Sequence, residues 1–165
     1  MDTLSWVLIV FTIIIFVRPI VFQDRSPIPE TSEKVVKVTE AAELDAVLSS
    51  TTCVVVDFYA DWCPPCRAIA PVFSNLAEDN FSKGKLAFAK VNVSNLNDLA
   101  QRYSVTAMPT FVFFRDGKPQ GVAVEGLKAR QSVKLSGNGL VDRILGADKA
   151  ALEATVQALS RELQS

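Results

Sequence analysis

The stretch VDFYADWCPPCRAIAP, residues 56–71, decides the fold. It continues an apolar, β-branched run that predicts a strand buried on both faces, as in a sheet covered by helices. Cys63 and Cys66 follow this strand, and the two prolines between them suit the first turn of a helix. The sequence therefore predicts a cysteine pair where a buried strand passes into a helix.

This position suits thiol chemistry. Unpaired N–H groups and the helix dipole favour negative charge at a helix N-terminus, which lowers a thiol pKa. We expect Cys63 to be the exposed thiolate, with Cys66 within disulfide reach one turn later. Cys63 could then attack a partner disulfide, and Cys66 could resolve the mixed disulfide. A purely structural disulfide is the alternative.

Composition excludes several other chemistries. The 165 residues contain no His and three Cys, so Ser-His-Asp or Cys-His catalysis and His metal ligands are excluded. Zinc within one chain is disfavoured, because only Cys53 joins the pair, and no metal is expected. A net charge of -1 argues against nucleic-acid binding. Cys53 is interpreted as a small buried apolar residue, with a regulatory thiol as the alternative.

The flanking sequence alternates helices and strands. Helices are predicted over 39–50, with Thr39 as N-cap, and over 63–80, 95–103 and 148–163. Strands are predicted over 51–60, 86–93, 110–118 with an Asp-Gly turn, and 142–145. This order indicates an α/β fold with a mixed central sheet and helices on its faces.

VDFYADWCPPCRAIAP, Lys90 in LAFAKVNV, MPTFVFF and GADKAAL together resemble the thioredoxin family. The resemblance covers residues 35–165. It implies the thioredoxin fold and a protein disulfide reductase that binds no cofactor and cycles through a Cys63–Cys66 disulfide. It also implies disulfide-containing client proteins, and reduction by a flavin-dependent thioredoxin reductase that uses NADPH.

The resemblance assigns roles within the predicted site. Cys63 would be the nucleophile, Cys66 the resolving thiol, and Asp57 a buried carboxylate that assists proton transfer at Cys66. A lone carboxylate inside VVVDFYA should also have a raised pKa, unless it faces water at a strand edge. Lys90 would lie near Asp57; taken alone, it is interpreted as a surface lysine.

The substrate groove is also assigned by resemblance. Pro109 is similar to the family's cis-proline, although sequence alone does not set the isomer. If the bond is cis, the Met108 backbone would be available to pair with an extended client segment. The groove would then be formed by Trp62, Pro65, Met108, Pro109 and Gly146.

The N-terminal segment, residues 1–22, is predicted to be a membrane anchor. The apolar stretch Leu4–Phe22 would rise about 28 Å as a helix, close to the thickness of a bilayer core. Alternatives are a poorly formed signal peptide or wrongly added upstream sequence. Residues 23–34 are predicted to be an extended linker. Basic residues after the stretch place the domain in the cytosol, with a secretory, mitochondrial or soluble cytoplasmic location as alternatives.

Two features depart from the family pattern. Pro64-Pro65 replaces the usual Gly-Pro, which removes an N–H donor near the thiolate and predicts an altered redox potential. About 20 extra residues, near 119–139, are predicted to form a long exposed loop. This stretch is interpreted as retained non-coding sequence or a tolerated insertion, with a partner-specific element as the alternative.

Two other functions remain open from the sequence. One is an oxidase or isomerase in the secretory lumen, although the chain lacks the His often found between the cysteines of isomerase relatives. The other is a non-catalytic docking module. The presence of both cysteines of the pair argues against this function.

Overall fold

The computed structural model describes residues 3–21 and 25–165; predictions that fall on residues 1, 2 and 22–24 lie outside these ranges. Its elements in chain order are α1 (Thr3–Val21), β1 (Val35–Val38), α2 (Ala41–Ser50), β2 (Cys53–Tyr59), α3 (Pro64–Asn80), β3 (Leu86–Asn92), α4 (Asn97–Arg102), β4 (Thr110–Arg115), β5 (Lys118–Pro119), β6 (Val133–Leu135), β7 (Val141–Leu145) and α5 (Lys149–Glu162).

The strands form one mixed sheet. Within the described ranges it has seven strands in the order β1-β3-β2-β4-β7-β6, with β5 paired to β4. β1, β3 and β2 run parallel, whereas β4, β7 and β6 are joined by antiparallel pairing. Every residue of β2 is buried, as its continuous apolar run predicts. The α/β prediction with a mixed central sheet is confirmed.

Helices cover both faces of the sheet. One core cluster packs α3 and α5 against the sheet, and another packs α2 and α4 against the opposite face. On the first face, the ring of Phe73 from α3 lies 5.7 Å from Phe88 of β3 and 5.7 Å from Phe111 of β4. These contacts fix the middle of α3 against β3 and β4.

The N-terminal expectations change in two ways. The predicted membrane-spanning helix is not confirmed, since no described helix combines the length and apolarity needed to cross a bilayer. The uncharged, mainly apolar stretch before Arg18 is Leu4–Val17, which would rise only about 21 Å as a helix. The expected linker also does not stand apart from the domain over residues 25–34: Ile28 and Ser32 are buried against it.

The first helix of the domain begins later than predicted. Thr39 is not its N-cap; Glu40 holds that position, without a side-chain capping bond. Instead, the Glu43 carboxylate accepts hydrogen bonds from the Thr39 N–H at 2.6 Å and from the Thr39 hydroxyl at 3.0 Å. The Thr39 side chain therefore acts as a donor to Glu43 rather than as an acceptor for the helix.

The extra residues are not a structureless exposed loop. Within the 119–139 stretch, Val133 to Leu135 form β6, and Val122 makes an isolated bridge to Val141. Val122 and Val133 are buried in the core on the α3–α5 face. Three-residue pairing is too short to leave a period in the sequence, and the hydrogen bonds that stabilise it come from β7.

Candidate functional site

The cysteine pair lies where β2 passes into α3. Cys63 is the N-cap of α3, and its Sγ accepts a hydrogen bond from the Cys66 N–H at 3.3 Å. Pro64 and Pro65 lack N–H groups, so the Cys66 N–H is the first main-chain donor of the helix. The two cysteines form a disulfide with a Cα–Cα distance of 5.3 Å. This confirms the predicted pairing at a helix N-terminus.

Cys63 is less accessible than expected. In the disulfide-bonded protein Cys63 is 4% exposed, against 1% for Cys66, so the expected exposure of Cys63 is wrong for the oxidised state. Cys63 packs in a cluster with Met108, and its Sγ lies 3.6 Å from the Met108 carbonyl oxygen. The Met108 loop therefore covers part of the Cys63 sulfur.

The residues predicted to form the groove come from three parts of the chain, and of these Met108 contacts the Cys63 sulfur across the fold. Trp62 is 41% exposed and donates from Nε1 to Ser94 Oγ at 3.1 Å, and Pro65 is exposed. The Met108–Pro109 bond is cis, as in the resemblance. Gly146, at a φ of 72°, donates its N–H to the Pro109 carbonyl at 2.7 Å. This bond joins the cis-proline loop to the start of α5.

Asp57 lies on β2, beneath the cysteine pair. It is 4% exposed, which excludes the alternative of a strand-edge carboxylate facing water. Its Oδ1 accepts no hydrogen bond from any atom of the described ranges. Burial raises the pKa of Asp57 to about 7, with the Lys90 charge opposing this shift and the Glu30 charge adding to it. A carboxyl with this pKa can hold or release a proton near neutral pH.

Lys90 is not a surface lysine. It lies opposite Asp57 in the β2–β3 register, is 6% exposed, and forms an ion pair with Glu30. Its Nζ also lies 5.6 Å from the centre of the Tyr59 ring. Burial is possible because the carboxylate and the ring replace the water that would otherwise surround the ammonium group.

Glu30 is the site residue that the sequence did not reveal. Its Oε1 accepts hydrogen bonds from Ser74 Oγ at 2.6 Å and from the N–H groups of Thr31 at 3.1 Å and Ser32 at 3.2 Å. Burial opposes the charged form, but these bonds and Lys90 outweigh it and lower the pKa of Glu30. The only signal in the sequence that this segment packs against the domain is the apolar Ile28, which lies between two prolines.

Cys53 lies outside this site. It opens β2, is fully buried, and remains a free thiol. Burial raises its pKa, which disfavours the thiolate that a regulatory cysteine requires. The interpretation as a small buried apolar residue is confirmed.

Comparison with known proteins identifies the family to which this site belongs. The thioredoxin family profile matches residues 34–136. The chain belongs to the thioredoxin family. It is 50% identical over 122 residues to a thioredoxin-like protein of Fusarium culmorum, covering 74% of this chain and 88% of that protein. It is 41% identical over 130 residues to a thioredoxin of Neurospora crassa, covering 79% and 90%.

Solved thioredoxin structures are also similar. The structure of Plasmodium falciparum thioredoxin superimposes with a TM-score of 0.57 at 29% identity, covering 74% of this chain and 96% of that one. Thioredoxin from Malassezia sympodialis gives a TM-score of 0.57 at 30% identity, covering 76% and 90%. With its Cys63–Cys66 disulfide and its membership of the thioredoxin family, this chain is a thiol–disulfide oxidoreductase that reduces protein disulfides.

Proposed function

We propose that Cys63 is the nucleophile of this disulfide reductase and that Cys66 is its resolving thiol. The observation that carries this assignment is the Cys66 N–H at 3.3 Å from Cys63 Sγ, at the N-terminus of α3. A hydrogen-bond donor and the positive end of a helix dipole both stabilise a thiolate at Cys63. Cys66, one turn into the helix and less exposed, is shielded from direct attack on a client.

The exchange proceeds in two steps that conserve electrons. The Cys63 thiolate attacks one sulfur of a client disulfide, so that a Cys63–client bond forms and the first client thiolate leaves. The Cys66 thiol then loses its proton and attacks Cys63 Sγ, which expels the second client thiolate and forms the Cys63–Cys66 disulfide. The client gains two electrons, and the dithiol loses two.

Asp57 is proposed as the group that accepts the Cys66 proton. Its carboxyl and Cys66 line the same small cavity. The pKa of Asp57, raised by burial to about 7, suits a proton acceptor that works near neutral pH. Asp57 is also buried beside the resolving sulfur rather than beside the surface that clients approach, which matches a role in the second step.

Client binding is proposed to use the groove of Trp62, Pro65, Met108, Pro109 and Gly146. The Met108 carbonyl oxygen, 3.6 Å from Cys63 Sγ, supports this proposal. An extended client segment that pairs with the Met108 backbone would bring its disulfide onto Cys63, as in other cases of strand addition.

We propose that a thioredoxin reductase returns the disulfide to the dithiol with electrons from NADPH. Insulin reduction in the presence of reductase and NADPH tests the cycle. The parent chain should turn over, Cys63→Ser should be inactive, and Cys66→Ser should accumulate a mixed disulfide with insulin. Cys53→Ser is the matched control because it removes the buried free thiol, and it should retain activity. Equal rates for the parent and Cys63→Ser would refute the assignment.

Membrane association through residues 4–22, with the domain in the cytosol, is a separate proposal. The described apolar side chains of α1 are exposed, from 43% at Ile9 to 63% at Phe11. Apolar surface of this extent favours a lipid or protein partner. Basic residues follow the segment and favour a cytosolic domain, at positions Arg18, Arg25, Lys34 and Lys37.

Flotation with liposomes tests the association. The full chain should float, and a Val10→Lys/Ile14→Lys variant should remain at the bottom of the gradient, while Thr12→Ser behaves like the parent. Flotation of the lysine variant equal to that of the parent would contradict the proposal. Protection of the domain from protease added outside sealed cytosol-facing vesicles would contradict the orientation.

A further inference from the structure

The segment before β1 packs against the back of the active site. We name residues 26–32 the N-terminal strap. Ile28 of the strap is buried in the cluster that contains Cys63 and Cys66, and its N–H donates to Asp61 Oδ1 at 3.0 Å. Ser26 contributes its carbonyl to the Arg67 guanidinium on α3. The strap is therefore fixed to the domain on the N-terminal side of Glu30.

Glu30 is held in one orientation by this packing. Its Oε1 accepts three hydrogen bonds, from Ser74 and from two N–H groups of the strap, while its Oε2 pairs with the Lys90 ammonium. Ser32 in turn donates to Glu78 of α3 at 2.7 Å. The carboxylate is thus a negative charge held by four contacts, one of which is the ion pair with Lys90.

Strap, sheet and α3 together line one small cavity. Its volume is about 10 Å³, roughly the space of one water molecule. Glu30 and Ile28 line it from the strap, and the rest of its lining is Asp57, Tyr59, Cys66, Ala70, Phe73 and Lys90. Asp57 Oδ1, which accepts no hydrogen bond within the described ranges, therefore lines the same small cavity as Cys66 and Lys90.

The charged and titratable groups around Asp57 come from every element packed on it. β3 contributes Lys90, the strap contributes Glu30, α3 contributes Cys66, and β2 itself contributes Tyr59. The neighbour of Asp57 on β4 is Phe111, which does not titrate. Lys90 is thus the cation of this cavity lining, and its position relative to two carboxylates depends on Glu30.

We propose that Glu30 is a positioning residue that engages the Lys90 ammonium and so controls how readily the Asp57 carboxyl takes the proton of Cys66. This inference rests on the proposed role of Asp57 in the second exchange step. With Glu30 in place, the charge of Lys90 is shared, and Asp57 retains its affinity for a proton. Without the Glu30 charge, Lys90 acts on Asp57 alone, the ionised carboxyl is favoured, and Asp57 becomes a weaker base.

The test is the pH profile of single-turnover oxidation of the reduced full chain by insulin, between about pH 5 and pH 9. In Glu30→Gln, the transition of the rate with pH that arises from Asp57 should move to lower pH by about one unit. Glu30→Asp, which keeps the charge, should restore most of the parent profile. Glu33→Gln removes an exposed carboxylate from the neighbouring turn and should leave the profile unchanged.

Failure of the two proposals can be separated with Asp57→Asn. If Asp57→Asn changes the profile but Glu30→Gln does not, the role of Glu30 is refuted and that of Asp57 stands. If Asp57→Asn leaves the profile unchanged, the proton-acceptor role itself is wrong. A Glu30→Gln shift that persists in the Asp57→Asn background would also refute the inference, because the effect would then not pass through Asp57.

Discussion

Replacing Asp57 by Asn should stabilise the oxidised protein, and the gain should grow with pH. The structure buries this carboxyl within the sheet and raises its pKa to about 7, from an ordinary value of 3.8. Because the folded chain holds the proton more tightly than the unfolded chain, the free energy of unfolding falls as pH rises between these two values. Well above about pH 7 the carboxyl is ionised in the folded chain, and the loss of unfolding free energy is complete.

The magnitude follows from the two pKa values. At about 1.4 kcal/mol for each pKa unit, the change from 3.8 to about 7 corresponds to about 4 kcal/mol. Asn cannot ionise and keeps a similar volume. The difference in unfolding free energy between Asp57→Asn and the parent should therefore increase by about 4 kcal/mol between about pH 4 and pH 8.

Urea denaturation of both oxidised proteins across this pH range is the assay. Asp79→Asn is the matched control, because it neutralises an exposed carboxylate at the end of α3 and should follow the parent at every pH. Stability curves for Asp57→Asn and the parent that run parallel from acid to alkaline pH would refute the reasoning. They would mean that Asp57 ionises as easily in the folded chain as in the unfolded one.

Three further substitutions test the packing. Phe73→Ala should lower the free energy of unfolding, measured by urea denaturation, by about 3 to 5 kcal/mol, because the ring fills the core between two other aromatic rings. Phe81→Ala, which removes an exposed ring, is its control, and equal losses for the two variants would contradict this packing. Val133→Ala should lower the free energy of unfolding by about 2 kcal/mol, since this side chain of β6 is completely buried. An unchanged urea midpoint would mean that β6 does not pack against the core. Asp148→Ala should cost about 1 kcal/mol by removing the N-cap of α5. Because hydrogen bonds outweigh burial and lower the pKa of Asp148, this contribution should disappear as the pH falls, and a loss that stays constant into acid would contradict it.

The elements that could be predicted are those whose signal is local. The apolar run of β2, the prolines at the start of α3 and the capping Asp148 each act within a few residues. The cysteine pair could be placed for the same reason. The raised pKa of Asp57 was also predictable, because a single carboxyl inside a long apolar run favours burial over a strand edge that faces water.

The features that escaped prediction depend on contacts between distant residues. Glu30 pairs with Lys90, which lies 60 positions later in the sequence, and the strap has no periodic pattern that would indicate this contact. β6 exists because β7 offers it hydrogen-bonding partners, as in the pair Val133 and Ile144. The accessibility of Cys63 was misjudged because the Met108 loop, 45 residues away, lies against its sulfur.

β6 also determines how the sheet ends. An unpaired strand edge can recruit a strand from another molecule and start aggregation, and short, charged or irregular edges resist this. β6 has three residues, an exposed Lys134 at its centre, and a break in register between Lys134 and Leu135. Without it, the longer and more regular β7 would form this border. The extra residues therefore make β6 the edge strand in place of β7. A strand from a second chain could pair with β7, whereas β6 offers it few regular hydrogen-bonding positions.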